Sequence, residues 1–111
     1  PRGDCYEAAG QYFMEHALFP GNEKDLVLVH GEVTGQGPLE GGKYGHAWVE
    51  KGGSTVIDKS NGRDLKLPKD VYYKLGRIGK NIHKYKPQQA RKNILKHEHW
   101  GPWDLVTETG L

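Results

Sequence analysis

Apolar side chains recur every three or four residues at the start of the chain: Cys5, Ala8, Ala9, Tyr12, Phe13 and Ala17 form one stripe. The spacing predicts a helix over 5–18. Asp4 supplies an N-cap, Glu7 completes a capping-box pattern, and "FPGN" at 19–22 ends the helix. The period then changes. "DLVLVHGEVTG" (25–35) is a β-branched apolar run that predicts a strand, and "GQGPLEGGKYG" (35–45) predicts a loop. "HAWVEK" (46–51) and "STVIDKS" (54–60) flank Gly52–Gly53, the clearest hairpin signal in the chain. "NGRD" (61–64) is a turn, and "KDVYYKLG" (69–76) after Pro68 is a short helix. "NIHKYK" (81–86) predicts a return strand, and Pro87 opens a last helix over 88–100. A helix followed by mostly antiparallel strands with peripheral helices is an α+β pattern, and 111 residues make a single domain over 1–111 the expectation.

Composition sharpens this in one respect. Sixteen glycines, clustered at 35–45 and 52–53, argue for tight turns between strands rather than for a helical bundle. Charge adds a local feature. The net charge is only +2, but Lys74, Arg77, Lys80, Lys84, Lys86, Arg91, Lys92 and Lys96 occur with no acidic residue between 74 and 97. A solvated surface is the plain reading; a polyanion such as nucleic acid is a less favoured partner. One cysteine cannot form an internal disulfide, no apolar run reaches the length of a membrane span, and no signal peptide is visible. These features lead to the expectation of a cytoplasmic or virion-associated protein rather than a secreted one. The chain starts at Pro1, as a processed or truncated piece would.

The chemistry centres on Cys5. A thiol becomes a nucleophile as its thiolate, which a helix N-terminus favours. It also needs a base, and the base needs an acceptor to hold it. His46 opens one hairpin strand and Asp58 lies toward the end of its partner. If Gly52–Gly53 is the whole turn, Lys51 pairs with Ser54, Val49 with Val56 and Ala47 with Asp58, and Asp58 shares a face with Ala47. A bulge or a third turn residue brings Asp58 into register with His46 instead, because a one-residue slip reverses the faces.

A cysteine opening a helix, then "GHAWVE", then "VID" on the following strand, resembles the transglutaminase-like branch of the papain-like cysteine enzymes over about residues 3–60. The resemblance implies a core in which a helix bearing Cys packs on an antiparallel sheet bearing His and Asp. It implies Cys5 as nucleophile, His46 as general base and acid, and Asp58 as the residue that orients the histidine. A thiol hydrolase cleaving a peptide or isopeptide amide follows, with acyl transfer as the alternative. A protein or peptide is then the substrate, and no cofactor or metal is required. The family's glutamine before the cysteine is expected to be absent or removed, since only four residues precede Cys5 in this sequence. The Cys5 N–H is one oxyanion donor, Gln36 and Tyr44 are candidates for the second, and Tyr6 is a loose counterpart of the aromatic residue after the cysteine. The chain as a whole also resembles small phage-encoded proteins.

The remaining candidates read more plainly. Trp48 is expected in the core or beside the site, with its indole N–H paired. His30 is expected to be a half-buried polar residue on its strand. His97 and His99 are too few for a competent zinc site. Trp100 and Trp103 are expected to anchor the tail, and Ser60 and Asn61 to support Asp58. A binding module that uses the basic 74–97 stretch, with the catalytic trio idle, is the competing functional class.

Overall fold

The computed structural model describes residues 4–17, 23–35 and 41–108. It is an α+β arrangement of five antiparallel strands and three α-helices among those residues. The helix α1 runs Cys5–Ala17, and the strands β1 (Leu26–Thr34), β2 (Lys43–Lys51) and β3 (Thr55–Asp58) follow. A 3-10 turn at Ser60–Gly62 leads to β4 (Leu65–Pro68), α2 (Lys69–Leu75), β5 (Ile82–Tyr85) and α3 (Pro87–His97). The sheet order is β4-β3-β2-β1-β5. Three elements differ from the sequence expectation: α3, expected over 88–100, ends at His97, where Glu98 takes a left-handed conformation, and two strands depart as follows. β2 begins at Lys43, within the segment read as loop, and "LKLP" forms an edge strand where only the proline had signalled anything.

Alternation along the strands divides the core in two. Leu26, Leu28, Ala47, Val49 and Ile57 face one side, where Ala9, Phe13 and Ala17 of α1 and Ala90 of α3 cover them. Val29, Val33, Trp48 and Val56 face the other side, packed against Tyr72 and Tyr73 of α2. The α1 stripe therefore holds as read, except that Ala8 and Tyr12 lie at its half-buried margin while Gly10 is buried. Gly10 has a reason to be glycine: a Cβ there would stand 2.6 Å from the Trp100 ring. Trp100 is thus seated against α1, and Trp103 packs on the α1 side of the core, as anchors of the tail would.

The hairpin register decides the geometry of the site. Lys51 pairs with Thr55, Glu50 with Val56 and Val49 with Ile57, so the turn holds three residues, 52–54. Of the two registers that the sequence left open, this is the three-residue one; Lys51 does not pair with Ser54. Gly52 and Gly53 both take positive φ, 62° and 72°, and the Ser54 N–H donates to the Lys51 carbonyl at 3.3 Å. The extra residue shifts the pairing by one, which turns Asp58 from the face of Ala47 to that of His46 and Trp48. On that face Gly31 stands opposite His46. A Cβ at Gly31 would meet the Trp48 ring at 2.6 Å and Ile82 at 2.8 Å, so its absence lets the indole lie across β1.

Candidate active site

β3 ends at Asp58, while β2 extends back to Lys43. The stretch of β2 that carries His46 therefore has no strand neighbour on that side. The chain instead turns through Ser60–Gly62, and the start of α1 comes against this turn. One hydrogen bond joins them: the Asn61 N–H donates to the Asp4 Oδ1 at 2.9 Å. Asn61 takes a left-handed conformation, φ 53°, to present that N–H. Cys5, the first residue of α1, is thereby carried to the edge of the sheet beside His46, although α1 covers the opposite face.

His46 and Asp58 meet directly. His46 Nε2 lies 3.0 Å from Asp58 Oδ2. Cys5 stands on the same imidazole closely enough to favour its protonated form. Asp58 accepts three further bonds: from the Ser60 N–H at 2.9 Å, the Ser60 hydroxyl at 2.6 Å and the Tyr72 hydroxyl at 2.7 Å. A buried carboxylate with all its lone-pair directions used is fixed in place and stays ionised. Burial works against the Asp58 charge, but the bonds from His46, Ser60 and Tyr72 outweigh it and hold the carboxyl well below the usual range. Burial likewise works against protonation of His46. The bond to Asp58, the nearness of Cys5 and the charges of both outweigh it and hold the ring at about 9. His46 is therefore an imidazolium at neutral pH.

The three residues open onto a cavity of about 760 Å3, within the range typical of small-molecule and peptide side-chain sites. Tyr6 and Tyr44 line it as well. Burial pushes the Tyr6 phenol up, and Cys5 beside it adds to the effect. Trp48 does not line the cavity. It is fully buried, with its indole N–H donating to Glu50 Oε2 at 3.0 Å, so its candidacy as a substrate contact is corrected to a core role. Gln36 lies outside the described residues.

Sequence reading missed Tyr72. Its neighbour Tyr73 donates to the buried Glu50, so consecutive tyrosines of α2 reach two carboxylates on one sheet face. The only signal was "VYYK" itself, which does not say that α2 lies over that face. Ser60 supports Asp58 as anticipated, whereas Asn61 supports Asp4.

His30 is fully buried rather than half-buried. The rings of Tyr6, Trp103 and Tyr85 surround it at 4.9, 4.8 and 5.1 Å, and neither of its nitrogens has a partner among the described residues. It faces the α1 side of the sheet and takes no part in the cavity. Among the described residues no cluster of three or more metal-ligating side chains occurs. His99 Nδ1 accepts the Gly101 N–H at 3.0 Å. The basic stretch does not form one surface: Lys74 belongs to α2, Arg91, Lys92 and Lys96 belong to α3, and these helices cover opposite faces of the sheet. Lys84 is paired with Glu50 at 3.2 Å. No helix among the described residues is long and apolar enough to cross a membrane.

Fold and site together describe a cysteine–histidine–aspartate arrangement at the edge of an antiparallel sheet. No protein-family model, curated protein or solved structure matches the chain.

Proposed function

We propose that this chain is a thiol hydrolase of papain-like type that cleaves a peptide or isopeptide amide through an acyl-enzyme. The supporting observation is the linked set Cys5–His46–Asp58. It joins a thiol at a helix start to a buried imidazole, whose Nε2 rests on a carboxylate with three other donors. An imidazolium beside a cysteine favours the thiolate, and the N-terminal N–H groups of α1 act in the same direction.

Cys5 Sγ attacks the amide carbonyl, and the Cys5 backbone N–H, unused by the helix ladder, faces the oxyanion that forms. Tyr44, which lines the cavity, is the candidate for a further donor. His46 passes its proton to the leaving nitrogen as the C–N bond breaks, leaving a thioester on Cys5. A water molecule then attacks the thioester, with His46 taking its proton. The C–S bond breaks, and the acid leaves with the thiolate–imidazolium pair restored. Asp58 holds the ring orientation throughout and stabilises its charged form. An amine in place of water gives acyl transfer by the same steps.

The test uses p-nitrophenyl acetate. A burst of nitrophenolate with an acetyl group mapped to Cys5 is expected from the wild type, and neither from Cys5→Ala. A wild-type protein that releases nitrophenolate without acetylating Cys5 would remove the proposal.

A further inference from the structure

Besides the reacting thiol, three charged side chains line the cavity: His46, Asp58 and Arg63. The first two neutralise each other at 3.0 Å. Arg63 does not share this arrangement. It follows the Ser60–Gly62 turn directly, is exposed, and has no carboxylate partner among the described residues. The nearest acid in sequence, Asp64, is taken by Lys59 at 2.9 Å. The phenol of Tyr72 feels the positive charge of Arg63, which places the guanidinium on the same side of the cavity as the Asp58 support. The lining also carries an apolar group: Leu65 and Leu67 of β4, Leu75 of α2 and Val33 of β1.

We infer that this cavity selects an acyl donor carrying both an apolar side chain and a carboxylate, with the apolar group against Leu65, Leu67 and Leu75 and the carboxylate on Arg63. The inference rests on the hydrolase reading for its chemistry, because Cys5 must be the reacting atom. Charge complementarity carries the ligand class. Arg63 is the charged lining side chain outside the Cys5–His46–Asp58 set, and a guanidinium pairs with a carboxylate in a two-pronged geometry that a lysine does not reproduce. Arg63 is in this account a specificity-determining residue.

The experiment measures the rate at which Cys5 is alkylated by N-chloroacetyl-leucine, its amide N-chloroacetyl-leucinamide, and N-chloroacetyl-glycine. The wild type is expected to prefer the leucine acid over the glycine acid by roughly tenfold, the effect of covering one isobutyl group. It is also expected to prefer the leucine acid over the leucinamide. His46 contributes to any preference for an anion, so the decisive quantity is the acid-to-amide ratio in Arg63→Gln. That ratio should fall roughly fivefold or more from the wild-type value, with Arg63→Lys restoring part of it. Added salt should reduce the wild-type ratio in the same direction. Rapid labelling with an acid-to-amide ratio that Arg63→Gln leaves in place overturns this inference alone. So does equal reaction of the leucine and glycine acids. Labelling of Cys5 no faster than that of free cysteine overturns both this inference and the hydrolase reading.

Discussion

Replacing Asp58 with asparagine probes the site at its most constrained point. The asparagine keeps the volume, and its oxygen can still accept the two bonds from Ser60. Its NH2 group then faces His46 Nε2 as a donor, so it supports a neutral ring and offers nothing to a protonated one. The wild-type ring is held at about 9 against an ordinary 6.5. That difference favours the imidazolium by about 3 kcal/mol. With the carboxylate gone, only Cys5 is left to oppose the burial that acts against protonation, and the His46 midpoint should fall well below 9. An NMR titration of the His46 ring protons reads this directly. The stability difference between wild type and Asp58→Asn has a defined pH course as well. A histidine raised on folding contributes its stability fully below about 6.5 and loses it as pH rises through about 9. Asp58, whose carboxyl is depressed, contributes above about 3.8 and loses its share as pH falls below that value. Urea unfolding should therefore show the largest gap between about pH 4 and 6.5, narrowing toward pH 9. A His46 midpoint still near 9 in Asp58→Asn would refute the reasoning, because the charge of Asp58 would then not be what holds the ring protonated.

Other consequences follow from the same geometry. Gly31→Ala places a methyl group 2.6 Å from the Trp48 ring and should destabilise the fold by about 1–3 kcal/mol in urea unfolding. His30 titrates in the opposite sense to His46. Burial, with His83 adding, pushes it down to about 4 against the pull of Asp104, so it withdraws stability as pH falls from 6.5 toward 4. His30→Phe should flatten the pH dependence of unfolding in that window, whatever its effect on absolute stability. Asp4→Ala removes the acceptor of the Asn61 N–H and should cost about 1 kcal/mol while slowing alkylation of Cys5, since this bond ties α1 to the turn after Asp58.

The elements were legible where a local period or cap defines them. The α1 stripe, the strand at 25–35 and the two hairpin strands follow from patterns within a dozen residues. Cys5, His46 and Asp58 could be picked out because each sits at the end of such an element. That the hairpin brings Asp58 near His46 could be read, but not whether the two share a face, because that depends on one residue in a turn. Gly52–Gly53 matches the favoured two-residue hairpin, and nothing in Ser54 marks it as a third turn position. Tyr72 and β4 were hidden for a related reason. Four alternating residues are too short a signal for a strand, and a tyrosine on a short helix shows its partner only when the helix is docked. Trp48 was ambiguous because an aromatic residue between a histidine and a glutamate suits a site wall and a core equally. Gly31, by leaving room for the ring across β1, is what places the indole in the core.

The most direct test of the central claim is the rate of iodoacetamide alkylation of Cys5 as a function of pH, measured from pH 5 to 9 with the modified residue confirmed by mass spectrometry. A free thiol titrates near 8.5, so its rate falls about tenfold for each pH unit below that. A Cys5 thiolate paired with an imidazolium should instead keep a substantial rate at pH 6, and His46→Ala should return it to free-thiol behaviour. If wild-type Cys5 follows the free-thiol curve, and His46→Ala changes nothing, Cys5 is a buried side chain and not a nucleophile.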